Sequence, residues 1–478
     1  DDDAALCAVV RPSPKSFRTL STVYFLFSVL QRAWDFALLF LLALLEPNDL
    51  TFVALLGITS NLSVILCTSH IGAWMDRVDR IVVMRRLLFL KNCGVVVTFM
   101  FFGVTLFDIE RAEAVGGALA AKHAAFVGAI VVPFIAAGVD LAFASVVLAV
   151  EKDWVVVLSQ GDTSWLADTN ATMTSINLAC KSLGPAFMAV VFQFVHPSIA
   201  AFALSGANMV LVYVLYVFLK SLYDGSPALQ SRGTPAPSHD GSPMEPPSRW
   251  ATLVTGVRAF LNSSCVIMLV AFSMLFLTTL SFGRVMTAYV LFRGLPVALV
   301  GVAKGIGACM GLLGSMAFPA FRARLGLNHT AVVAVWYLVA MVSLASLSFT
   351  FQGDAVAALA LLCTPVLLSR FGLWLFDLAV RQLAQETISE TERGAINGVW
   401  RAITAAFELT SFVLALILPH PDTFWILSIV TVCSVTGAAV LTTVFTASSH
   451  AGLCRPKYRP IPEMELRSVP QPADPPEG

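Results

Sequence analysis

About twelve stretches of this chain are each long and apolar enough to cross a lipid bilayer, and nothing else in the sequence restricts the fold so severely. In hydrocarbon no water is available to satisfy backbone N–H and C=O groups, and a helix needs about 20 apolar residues to span that layer. Such runs fall at residues 21–45, 51–69, 87–107, 124–150, 172–194 and 198–219, and again at 264–292, 297–319, 330–350, 355–382, 396–418 and 423–446. The spacing predicts an all-α membrane protein whose helices divide six and six. Charged residues make up 13% of the 478 and hydrophobic ones 57%, whereas soluble domains carry about 25% charged residues.

Between the two sets of runs, residues 224–248 read DGSPALQSRGTPAPSHDGSPMEPPS. That stretch is too rich in Pro, Ser and Gly to bury a core and reads as a disordered linker. The expected organisation is an N-terminal segment 1–20, a six-helix half 21–220, a linker 221–252, a second six-helix half 253–446 and a tail 447–478. Residues 1–16 are acidic and then Pro-containing, without the basic and apolar order of a signal peptide. Basic residues set the expected orientation. Arg11, Lys15 and Arg18 precede the first run, Arg77, Arg80, Arg85 and Arg86 follow the second, and Arg322, Arg324, Arg393, Arg455, Lys457 and Arg459 fall on the same side. The loops 46–49, 196–198 and 419–422 carry no Lys or Arg. Both termini and the linker are therefore expected in the cytoplasm, and Asn61, Asn170, Asn262 and Asn328, though in glycosylation sequons, are expected to stay unmodified.

The function classes narrow quickly. With 30 basic and 30 acidic residues, net charge is zero, so no global field points to nucleic acid. The nine cysteines stand mostly in apolar runs, with no C-x-x-C pair and no zinc spacing. The histidines are scattered in loops and helix ends. No nucleophile triad and no phosphate-cradling Gly-Lys-[Ser/Thr] loop stands in a soluble domain, which disfavours enzymatic activity and ATP-driven pumping; no resident cofactor is expected.

Two six-helix halves joined by a cytoplasmic linker are the architecture of major facilitator transporters, in which rocking halves expose a midplane site alternately to each side. The segment Gly72-Ala-Trp-Met-Asp76-Arg77-Val-Asp79-Arg80 is similar to the G-x-x-x-D-R-x-G-R loop of that superfamily, although an ordinary basic loop would also satisfy the orientation rule. Span ten and the loop after it are more specific: Phe371-Gly372-Leu373-Trp374-Leu-Phe376-Asp377-Leu, then Arg381-Gln382-Leu-Ala-Gln385-Glu386 and Glu392-Arg393-Gly394-Ala-Ile396-Asn397-Gly398-Val399. These segments resemble the ferroportin family of iron exporters. Arg32-Ala-Trp34-Asp35-Phe36-Ala37, Glu151-Lys-Asp153-Trp154 and Leu166-Ala-Asp-Thr-Asn170-Ala171-Thr172 agree with the same family, in matching order across residues 18–446.

The resemblance implies export of ferrous iron, or a related divalent metal, as the transported substrate. Gln31 and Asp35 lie four apart on one helical face, and an ionised Asp35 offers the hard oxygen that a divalent cation takes. The family carries its first metal site at these two positions, commonly as Asp and His, so one carboxylate is kept but moved by a turn. A structural Asp35 paired to Arg32, or to a base on another helix, is the alternative. Asn208 matches an Asn that the family places beside this site, with a plain interhelical hydrogen bond as the alternative reading. Leu215 and Lys91 stand where the family has an acid and a Gln, so calcium activation is not expected. Arg284 stands at the metal-binding Cys of span seven and Ser411 at the His of span eleven. The second metal site is therefore expected to be absent, with Glu408 as the expected counter-ion of Arg284. Asp76, Arg80, Asp153 and Arg393 resemble the family's cytoplasmic gate. Hormone regulation through the missing Cys is not expected. The protein is expected to be a monomer in the plasma membrane or an endomembrane. Two further readings stay open: the same fold moving a small organic or chelated anion bound by Arg284, and a non-transporting membrane receptor.

Overall fold

The computed structural model describes residues 14–45, 49–75, 77–115, 118–160, 162–230, 249–350 and 354–450. Among them all regular structure is helical. The first half contains α1 (Pro14–Leu45), α2 (Thr51–Met75), α3 (Arg80–Val115), α4 (Ala118–Ala149), the short α5 (Val155–Ser159), α6 (Thr163–Phe194), α7 (Pro197–Asp224) and the single turn α8 (Pro227–Gln230). The second contains α9 (Arg249–Leu261), α10 (Val266–Met274), α11 (Arg284–Phe292), α12 (Val297–Leu325), α13 (Leu327–Ser346), α14 (Ala355–Thr387), α15 (Glu390–Ile417) and α16 (Phe424–His450). Eleven described helices are long and apolar enough to cross a membrane. Proline marks where helices begin, with Pro197 in the first turn of α7 and Pro296 at the N-cap of α12. Gly326, at φ +75°, makes the left-handed turn between α12 and α13.

Span seven is not the continuous helix expected over 264–292. Helices α9 and α10 meet at 102°, and residues 275–283 between α10 and α11 are irregular. Backbone freed in this way is tolerated at membrane depth only where it is buried in protein or lines a cavity, and Thr278, Thr279, Ser281 and Gly283 do line one. The backbone N–H of Thr279 finds Thr431 Oγ1 at 3.0 Å, and Met274 O accepts from Ser434 Oγ at 2.8 Å, so α16 satisfies part of what the break leaves open. The linker expectation also changes at its start. Residues 227–230 form α8 because Leu229, 1% exposed, docks into the first half; residues 231–248 lie outside the described residues.

The halves meet along two seams, α6 against α12 and α2 against α15. Small residues set the approach: a methyl group on Gly301 of α12 would stand 2.5 Å from Ala189 Cβ of α6, and one on Gly57 of α2 would enter the Phe412 ring of α15. Beside the start of α2 and loop 419–422, contact extends across the molecule, and Leu50 N donates to Pro419 O at 2.9 Å. One apolar core joins both halves there, with Leu38, Leu41, Leu50 and Val53 from the first and Tyr289, Phe412 and Phe424 from the second. At the opposite end the first half keeps a separate core, built on Leu20, Met84, Trp154 and Leu219. The halves are thus sealed together on one face and split on the other, with a cavity of about 780 Å³ at the split.

Candidate functional site

Helix α1 carries Gln31, Arg32 and Asp35 into that cavity, α4 carries Asp140, the start of α11 carries Arg284, α12 carries Lys304, α14 carries Arg370, Trp374, Asp377 and Arg381, and α15 carries Glu408 and Ser411. Gly184 of α6 permits the close α1–α6 approach behind Arg32, since a methyl group there would stand 2.4 Å from Arg32 Cβ. The charged groups are arranged in pairs. Arg32 Nη1 lies 3.1 Å from Asp35 Oδ2, Arg284 Nη2 lies 2.8 Å from Asp140 Oδ2, and Arg381 Nε lies 2.7 Å from Asp377 Oδ2.

The two carboxylates nearest the centre, Asp35 and Asp140, share one amide. Gln31 Nε2 donates to Asp35 Oδ1 at 3.0 Å and to Asp140 Oδ1 at 3.3 Å. Its own carbonyl Oε1 is buried without a partner, as is Ser60 Oγ on the same cavity wall. A buried acceptor left open costs about 1–3 kcal/mol. The Gln31 amide therefore stands, with its N–H groups, where a cation between the two acids would stand. Turning the amide over would present Oε1 to such a cation.

Several expectations change here. Arg284 pairs with Asp140 rather than Glu408. The reason is reach: the guanidinium at the start of α11 extends across the cavity to α4, while Glu408 lines the wall on α15. Asn208 is not in the cavity. It lies buried on α7, and its side-chain N–H donates to Asn92 Oδ1 of α3, which makes it a link between helices. Asp140 went unnoticed in the sequence although it is an acid in the middle of an apolar run, which is itself a functional signal. Arg370 was missed in the same way. Lys91 is buried with its Nζ 5.3 Å from the centre of the Phe27 ring. Among the described residues no three His, Cys, Asp or Glu side chains converge on one point; the acids that line the cavity are Asp35, Asp140, Asp377 and Glu408.

Of the expected gate, Asp76 and the side chain of Arg393 lie outside the described residues. The remaining two meet: Arg80 Nε and Nη2 grip both oxygens of Asp153 at 2.8 and 3.0 Å, and Nη1 donates to Leu229 O at 3.1 Å. A π-helical turn over Val150–Trp154 aims Asp153 at Arg80 and Glu151 at the Tyr24 hydroxyl, which donates to it at 2.7 Å. Arg80 is nine-tenths buried in this clamp, which stiffens the split end of the first half. Replacement by Gln in Arg80→Gln removes a bidentate, charge-assisted grip worth about 1.5–3 kcal/mol. Transport is expected to fall severalfold while the protein still reaches its membrane, as flux and surface labelling on the same cells would show.

Two six-helix halves around a charged cavity sealed at one face define a membrane transporter of the major facilitator type. The nucleoside transporter NupG shares the fold at a TM-score of 0.60, with 13% identity, over 90% of this chain and 99% of that one. The chain belongs to the ferroportin family: the model of that family, described as Ferroportin1, matches residues 14–435. Similar proteins include solute carrier family 40 member 1 of Arabidopsis thaliana, 28% identical over 461 residues that cover 88% of this chain and 86% of the relative. A bacterial homologue of the iron transporter ferroportin, solved in an inward-facing state, superposes with a TM-score of 0.75 at 22% identity, over 90% of this chain and 98% of that one.

Proposed function

We propose that the protein exports a divalent metal, ferrous iron or a close relative of it, from the cytosol by alternating access, with Asp35 and Asp140 as the carboxylates that take the ion. The observation that carries this reading is the single amide nitrogen bridging both acids at 3.0 and 3.3 Å, a place already shaped for positive charge. In the empty carrier, Arg32 and Arg284 neutralise the two acids. An arriving ion displaces both guanidiniums, draws on the open Gln31 and Ser60 oxygens, and removes the Arg284–Asp140 pair that ties α11 to α4. Loss of that tie lets the halves rock. The basic loops support a split face turned towards the cytoplasm and a cavity that loads from the cytosol, and membership of the ferroportin family supports metal as cargo.

The alternative cargo, a small organic or chelated anion bound through Arg284, would have to open the Arg284–Asp140 pair at 2.8 Å. Loading cells with radiolabelled iron and following its loss into a chelating medium tests the proposal. Expression of the chain is expected to speed efflux, and faster iron entry with no efflux would reverse the proposed direction.

A further inference from the structure

Beside the main cavity, between α1, α6, α12 and α14, lies a side chamber of about 320 Å³ that includes Arg32, Asp35, Lys181, Lys304, Arg370 and Trp374 in its lining. Its charge is one-sided. Arg32 and Asp35 answer one another, but Lys181, Lys304 and Arg370 have no carboxylate within ion-pair distance among the described residues. Lys181 Nζ sits 5.6 Å from the centre of the Trp374 ring and Lys304 Nζ 5.2 Å from that of Phe36. Arg370 reaches only neutral oxygens, Ser369 Oγ at 3.0 Å and Leu280 O at 3.4 Å. Unanswered cations at membrane depth are costly and mark sites that meet a charge from elsewhere.

Loading makes the imbalance worse. Around the two spaces, which share Arg32, Asp35, Lys304, Arg370 and Trp374 in their linings, stand six bases and four acids, so a bare divalent ion would enter a region that is already positive. Like charges repel far more strongly in a water-poor interior than in bulk solvent. An anion arriving with the metal removes that penalty.

We propose that this chamber is an anion site in which Lys181, Lys304 and Arg370 hold a small organic molecule bearing two or three carboxylates, and that the metal crosses in its company. The proposal rests on the metal reading of Asp35 and Asp140 for the cargo, while the anion site itself stands on the chamber. The guanidinium of Arg370 suits a carboxylate's two oxygens, and Trp374, Gly307 and Ala308 offer an apolar wall to a carbon skeleton. The volume is at the lower end of small-molecule sites, roughly 300–1,000 Å³. Lys181 comes from the first half and the other two from the second, so the anion would also bridge the moving parts.

Binding of labelled citrate to the purified full chain, without metal, is the direct test. Citrate is expected to bind, at least about tenfold more weakly in Lys304→Gln and in Lys181→Gln, and within about threefold of the starting protein in Lys304→Arg. Two separate variants keep the test decisive if one fails to fold. No citrate binding at millimolar levels, unchanged binding in both charge-removing variants, or tighter binding of inorganic phosphate than of citrate would each overturn the site. In vesicles with free Co²⁺ held constant, citrate on the loading side is expected to raise Co²⁺ flux severalfold and to accumulate alongside it. Co²⁺ flux indifferent to citrate would overturn the joint passage, whereas citrate binding without any Co²⁺ flux would refute the metal reading and leave the anion site standing.

Discussion

Vesicles containing the Asp35→Asn protein are expected to move Co²⁺ or Fe²⁺ at least about tenfold more slowly than those containing the unaltered chain. Asn keeps the shape and one oxygen but removes the charge. A single charge pair 4 Å apart is worth about 4 kcal/mol at an effective dielectric of 20, and a divalent ion doubles the attraction before dehydration takes its share. The substitution also leaves Arg32 without its anion at 3.1 Å, making the empty site more positive still. Asparagine is close in volume, so the protein is expected to fold and reach the vesicles in normal amount. Flux that survives intact would move the ion's path away from α1.

Arg284→Gln is expected to act in the opposite sense on binding. With the guanidinium 2.8 Å from Asp140 removed, the acid no longer has a tethered rival for the incoming ion, and metal affinity is expected to rise by on the order of tenfold, about 1.4 kcal/mol. Turnover is expected to fall. The Arg284–Asp140 pair is what neutralises the unloaded site and draws α11 to α4 on the return, and a carrier that cannot neutralise its own acid releases cargo and resets slowly. The expected signature is tighter Co²⁺ binding in calorimetry together with a lower maximal flux. A purely structural bridge would instead lower both, through loss of folded protein, and a drop in thermal stability without any gain in affinity would identify it.

The architecture was legible because lipid leaves so few solutions: apolar runs of helix length, counted and split by a Pro- and Ser-rich interval, give the six-plus-six bundle with little else needed. What the runs could not reveal was the break at 275–283, since Ser, Thr and Gly inside an apolar segment are compatible with a continuous helix until α16 is present to satisfy the freed backbone. Gln31 and Asp35 were legible by their spacing, and the structure does put both in the cavity. Partners were another matter. Arg284 looked towards Glu408 because that acid lies one turn before Ser411, the other altered position of the lost metal site, whereas the structure gives it Asp140, from the other half and 144 residues away. Helical periodicity says which side of its own helix a residue takes, not which of the other helices it meets. Asn208 shows the same limit. Its match to the family placed it beside Asp35, but its amide is taken by Asn92.

The gate was half legible. Arg80 and Asp153 sit in segments similar to the family's, and the structure joins them. Their bond lies within the first half, however, so it stiffens one lip of the opening rather than clasping both. The π-helical turn that aims Asp153 had no sequence signal beyond the charged Glu-Lys-Asp interrupting an apolar stretch.

The central claim, that one metal ion sits between Asp35 and Asp140, is tested most directly by equilibrium Co²⁺ binding to the purified chain and to a variant carrying Asp35→Asn and Asp140→Asn together. One ion per chain for the former and none for the latter is the predicted result. Equal binding by the two proteins would contradict it.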